Sequence, residues 1–92
     1  MREVFVGQDA LLSTPAVSNL VRTVDQNCMG GVILSASHNP GGPTEDFGIK
    51  FNGPNGGPAP ESMTDAMFEK TKKMKGYKTL VNYEPVNLNR IG

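Results

Sequence analysis

Cysteine is almost missing from this chain. Cys28 is the only one among 92 residues, so no disulfide can close within it. A reduced, cytosolic setting is the expectation that follows. An excess of one charge is missing too, because nine lysines and arginines balance nine aspartates and glutamates. That balance argues against an electrostatic grip on nucleic acid or on a membrane surface. No apolar run approaches the roughly 20 residues that span a bilayer, and Met1 to Val4 shows no apolar core of a secretory leader. The sequence has no Asn-x-Ser/Thr acceptor, no Gly-x-Ser-x-Gly elbow and no Gly-Lys-Ser/Thr phosphate loop. Asp9, Asp25, Glu45, Asp46, Glu61 and Asp65 are scattered and show no metal-ligand spacing. No internal repeat is present.

A chain of 92 residues makes at most one small domain with a thin core. Val4 to Val6, closed by Gly7, reads as a short strand. Thr14 followed by Pro15 reads as a helix start. Val17, Leu20, Val21, Val24 and Cys28 then continue one apolar helical face up to Gly30-Gly31. Cys28, at the end of that stripe, reads as a buried, inert thiol. Val32 to Ala36 reads as a second strand, buried on both faces. This strand–helix–strand order implies parallel pairing with a right-handed crossover. Gly48 to Asn52 reads as a third strand, with Phe47, Ile49 and Phe51 anchoring one face and Lys50 looking out of the other. A second helix is expected from near Pro60 to Gly76, with Met63, Met67 and Met74 as a core stripe and Phe68 beside it. Lys70, Lys72, Lys73, Lys75 and Lys78 read as a solvated face, and a weak strand signal runs from Leu80 to Tyr83. Gly53-Pro54-Asn55-Gly56-Gly57 reads as a tight connection, since no lysine follows it as in a phosphate cradle.

The most informative stretch is Val32-Ile33-Leu34-Ser35-Ala36-Ser37-His38-Asn39-Pro40. A β-branched run breaks into small polar residues, and a proline then restricts the turn. That pattern delivers Ser37 to the carboxyl end of a strand, where ligands gather in α/β sheets. Asn-Pro-Gly-Gly is also an ordinary turn. Asn39 is expected to fix the loop through its side chain.

This stretch resembles the active-site serine loop, Thr/Ser-Ala-Ser-His-Asn-Pro, of the α-D-phosphohexomutases. The resemblance continues through Asp46-Phe47-Gly48-Ile49-Lys50-Phe51-Asn52 and Asn55-Gly56-Gly57-Pro58-Ala59-Pro60-Glu61. Upstream it takes in Val6-Gly7-Gln8-Asp9 and Leu12-Ser13-Thr14-Pro15-Ala16-Val17-Ser18. These segments are similar to the phosphoglucomutase branch, from about Val4 to Phe68. Thr44-Glu45 departs from the branch, which more often has Asn-Gly before the aspartate.

The resemblance implies an α/β fold, namely a partial three-layer α/β/α domain with a mixed sheet of the family's first-domain type, with residues 1–92 as an incomplete piece of it. It implies a parent reaction that interconverts glucose 1-phosphate and glucose 6-phosphate. In that reaction Ser37 carries the phosphoryl group, His38 and Lys50 contact the phosphosugar, and Lys50 serves as general acid/base. It implies Mg2+, touched here only through a phosphate on Ser37 because the family's Asp-Gly-Asp-Gly-Asp-Arg metal loop is not in this sequence. Glucose 1,6-bisphosphate is the implied activator and intermediate, and a small-molecule hexose phosphate the implied partner. A cytoplasmic location fits both lines of reasoning. The alternatives are a non-catalytic, mutase-like scaffold and a truncated product without function of its own.

Overall fold

The computed structural model describes residues 3–90. After a short 3-10 turn at Gln8–Ala10 come helix α1 (Thr14–Thr23), strands β1 (Gly31–Ser35) and β2 (Gly48–Asn52), and helix α2 (Glu61–Lys73). The class is α/β.

Helix α1 starts one residue earlier than its sequence signal. Ser13 is the cap, its hydroxyl accepting the Ala16 N–H at 3.3 Å, and Pro15 sits in the first turn, where an N–H has no partner to lose. The helix ends at Thr23 and does not run on to Cys28. Asp25 explains the stop. Its carboxylate accepts the Asn27 N–H at 2.9 Å and its carbonyl accepts the Cys28 N–H at 3.1 Å, and such local bonds compete with the helical ladder. Cys28 is half-buried in the loop beyond, its thiol facing the Gly30 carbonyl at 3.7 Å.

The sheet overturns the expected pairing. β1 and β2 run antiparallel, with Gly31 opposite Asn52, Ile33 opposite Lys50 and Ser35 opposite Gly48. Val4 to Val6 forms no strand and stays exposed, so no parallel crossover exists among the described residues. β1 finds its partner locally instead, across the connection 36–47. Leu80 to Tyr83 forms no strand either.

Directly opposed residues share a face, so Gly31, Ile33 and Ser35 lie with Asn52, Lys50 and Gly48. Helix α1 covers the Gly31 end of this face. A Cβ on Gly31 would stand 2.8 Å from Val17 and 3.2 Å from Val21. Val21 and Ile33 form the apolar core, each 5% exposed. Beside them Asn52, 4% exposed, donates through its amide to Ser18 Oγ at 3.0 Å and to the Gly56 carbonyl at 2.9 Å. These bonds tie β2 both to α1 and to the 53–57 turn, which closes on itself through Gly53 N–H to Gly57 O at 2.9 Å. Gly30 must be glycine: its φ is +147°, and a Cβ would meet Asn52 O at 2.3 Å.

The other sheet face is open to water except at Phe51, which is half-buried beside Gly30. Val32 and Leu34 are each 65% exposed, Phe47 is 70% and Ile49 69%. β1 is thus buried on one face only, and the Phe47–Ile49 side does not anchor β2. The expected methionine core stripe is exposed as well, since no residue of α2 is buried. What α2 does hold is a polar last turn. Lys72 pairs with Glu69 at 2.6 Å and lies 4.5 Å from the Phe68 ring centre, and Lys70 and Lys73 flank it at the favourable end of the helix dipole.

With two apolar side chains in the core, a single truncation is decisive. Ile33→Ala should cost about 2–5 kcal/mol and abolish the ordered state, read as loss of far-UV circular dichroism and of amide dispersion. Asn52→Leu should cost about 1–3 kcal/mol by stranding the Gly56 carbonyl. Leu34→Ser with Ile49→Thr, on the bare face, should instead leave that signal intact and strongly reduce binding of a hydrophobic fluorescent dye.

Candidate active-site loop

β1 stops at Ser35, and its hydroxyl is what stops it. Ser35 Oγ accepts the Ser37 N–H at 2.9 Å, a side-chain mimic of a backbone turn. A second bond, Asn39 N–H to Ala36 O at 3.1 Å, closes the next turn ahead of Pro40. Between them Ser37 takes a φ of +61°. That left-handed conformation costs a side-chain-bearing residue roughly 1–2 kcal/mol. Such strain persists only where the surroundings impose it, and it concentrates at functional loops.

Lys50 reaches Ser37 from β2. Opposite Ile33, it stands on the face whose Gly31 end α1 covers. Its ammonium donates to Ser37 Oγ at 3.1 Å. Of the three sequence-predicted residues, the structure therefore joins Ser37 and Lys50, which lie 13 positions apart in the chain. His38 is exposed beside them, and no hydrogen bond links it to either among the described residues. Asn39 holds the turn by its backbone amide, and the side chain that fixes the loop is that of Ser35. From the sequence Ser35 is a second hydroxyl, two residues before Ser37, that the motif sets aside; the signal for its turn-forming bond is the Ser-x-Ser spacing, which suits a hydroxyl-to-amide turn.

Ser37, His38 and Lys50 all face solvent. Two concave hollows of the described chain lie elsewhere, one beside Val4, Phe5 and Arg90 and another between Phe5 and the Leu20–Val24 stretch at the end of α1. Glu45 sits in the neighbouring loop, which Gly41 and Asp46 bridge. Among the described residues no three or more His, Cys, Asp or Glu side chains gather to hold a metal ion. The local chemistry is thus a strained, solvent-open hydroxyl with one cation hydrogen-bonded to it. Such a pair can accept an anion and supply a proton to an oxygen that is leaving.

Residues 2–78 match the sequence model of the family described as phosphoglucomutase/phosphomannomutase, alpha/beta/alpha domain I. Phosphoglucomutase 1 of Saccharomyces cerevisiae is 55% identical over the whole of this chain, which covers 16% of that protein. A probable cytoplasmic phosphoglucomutase 2 of Arabidopsis thaliana is 53% identical, again over the whole chain and 16% of the relative. Among solved structures, the exocytosis-sensitive phosphoprotein pp63/parafusin (phosphoglucomutase) of Paramecium, in its open form, superposes with a TM-score of 0.82 at 51% identity. That superposition covers 95% of this chain and 16% of the other. The chain thus spans about one-sixth of the length of these relatives.

Exposed hydrogen bonds contribute little to stability. Lys50→Met should therefore leave far-UV circular dichroism unchanged and the Ile33 amide resonance in place. It should displace the Ser37 amide and Cβ resonances, and coincidence of those signals with the wild type would contradict the 3.1 Å contact.

Proposed function

The chain belongs to the phosphoglucomutase/phosphomannomutase family, within its α/β/α domain I, and from this premise we propose that it supplies the phosphoryl-carrying serine loop of a phosphoglucomutase. The reaction is exchange between glucose 1-phosphate and glucose 6-phosphate through a phosphoserine at position 37. The observation that carries the reading is the Lys50 ammonium donating to Ser37 Oγ at 3.1 Å.

The direction of that bond suits one half of the reaction. When phosphoserine gives its phosphoryl group to a sugar hydroxyl, the sugar oxygen bonds to phosphorus and the bond from phosphorus to Ser37 Oγ breaks. The departing Oγ takes a proton from Lys50 Nζ. The lysine then recovers a proton from the sugar hydroxyl, directly or through water, so the cycle balances. Ser37 and Lys50 are the catalytic residues of this scheme, and His38, exposed beside the phosphoryl position, is a contact for the phosphosugar.

A phosphorylated Ser37 adds roughly −1.5 to −2 charges, and Lys50 is the one cation bonded to it. Magnesium belongs to the proposal only as an ion touched through that phosphate, because the described residues offer no ligand cluster of their own. Glucose 1,6-bisphosphate is the intermediate by which the serine is recharged, and the partners are small hexose phosphates. Names of relatives and the absence of any membrane-crossing helix among the described residues support a cytoplasmic location.

The carrier role is tested by mass spectrometry of the chain from its native source. One phosphate on Ser37 is expected, and an unmodified serine would point to a non-catalytic scaffold. The isolated 92 residues should show no interconversion of glucose 1-phosphate and glucose 6-phosphate above a Ser37→Ala control. Turnover in a coupled assay would overturn the view that metal and sugar contacts come from outside this sequence.

A further inference from the structure

We propose that Ser35 is a positioning residue whose hydroxyl holds Ser37 in its left-handed conformation and so aims Ser37 Oγ at Lys50. The inference deepens the carrier-serine reading and rests on it for its catalytic meaning. Three observations converge on Ser35. Its Oγ accepts the Ser37 N–H at 2.9 Å. Ser37, with φ at +61°, stands in a region that a serine does not choose unaided. In that conformation Ser37 Oγ meets the Lys50 ammonium at 3.1 Å.

The local architecture leaves Ser35 free for this task. Its cross-strand partner is Gly48, which has no side chain to compete for the hydroxyl. Ser35 is the last residue of β1, so its side chain stands on the same face as Ile33 and Lys50 while its backbone remains pinned to β2. The rigid strand thus reaches forward by one side chain into the loop it launches. A serine or threonine can do this, whereas alanine or valine cannot. Ser35 touches neither the phosphoryl group nor the sugar in this scheme; it acts through Ser37.

The test uses the full 92-residue chain, labelled with 15N and 13C, as wild type and as Ser35→Ala, Ser35→Thr and Ser35→Val. Solvent exchange of the Ser37 amide should quicken about fivefold in the alanine and valine variants, the size expected for loss of one ordinary hydrogen bond. Threonine should restore the wild-type rate, and the Ile33 amide should be unmoved throughout. Adding Lys50→Met should shift the Ser37 Cβ resonance in the wild-type and threonine backgrounds but not in the alanine or valine ones. That coupling separates aiming from mere loop stability. Equal exchange in all four chains, or threonine behaving as valine does, overturns the proposal. So does unfolding of both hydroxyl-free variants, which would make Ser35 a folding residue. Absence of phosphate on Ser37 in the native chain would remove the carrier reading and leave the exchange result to decide the positioning on its own.

Discussion

The register of β1 against β2 is the constraint from which the site follows. Ile33 lies opposite Lys50, and this one pairing puts the lysine on the face shared with α1, level with the middle of β1 and within reach of Ser37 beyond its end. Side chains alternate along a strand, so a slip of one residue would send Lys50 to the opposite face and away from Ser37. The register is secured at both ends. At one end Asn52 is locked to Ser18 and Gly56, and at the other Gly41 and Asp46 bridge the connection 36–47. Gly30, with no Cβ to strike the Asn52 carbonyl, lets the chain enter β1 at the right height. Buried polar bonds of this kind specify one alignment, which a two-residue apolar core could not do unaided.

The two faces of the sheet divide the work. The α1 face is small, partly polar and organised, and every group that reaches Ser37 comes from it. The opposite face is apolar and open to water at Val32, Leu34, Phe47 and Ile49, and helix α2 carries a second exposed row at Met63, Met67, Phe68 and Met74. In a family described as three layers, helix over sheet over helix, the described residues hold one helix packed on one side of a two-stranded sheet. The Ser35–Ser37–Lys50 contacts are therefore built on the side of the sheet that α1 covers.

The sequence disclosed what is local. The Ser13–Pro15 helix start, the β1 and β2 strands, the 53–57 turn and the lysine-rich end of α2 all rest on short-range chemistry, and each was legible within a residue or two. The break between β-branched and small residues placed Ser37 at the end of β1, and the resemblance, not the strand pattern, singled out Lys50, which the structure brings to 3.1 Å from Ser37 Oγ. What the sequence hid is what depends on company. Val4 to Val6 has strand composition but no neighbour to bond, so parallel pairing gave way to the nearer antiparallel partner. The apolar stripe that pointed to a helix through Cys28 could not announce that Asp25 would turn its own backbone bonds away from it. The methionines of α2 have helical periodicity, which fixes a face and says nothing about whether anything packs on it. Ser35 could be weighed from the sequence only as a second hydroxyl two residues before Ser37, because the bond that it accepts from the Ser37 N–H appears only in the folded turn.

The electrostatics of Ser37 argue for a carrier rather than a trap. A doubly charged phosphate held by several fixed cations would be stabilised in place, and the same interactions would raise the barrier to giving it up, because only contacts stronger in the transition state accelerate transfer. Among the described residues Lys50 brings one ammonium to Ser37, exposed to water and bonded to the oxygen that would leave in the proposed transfer. Under the proposed carrier role, an ammonium in that position would lower the cost of breaking the phosphorus–oxygen bond more than it stabilises the resting phosphate, since the serine oxygen gains charge only as the bond breaks. A chain of zero net charge adds no broad positive field to deepen the well. For the proposed carrier role, what this chain itself supplies is an outward-facing hydroxyl with an ammonium on the oxygen that would leave.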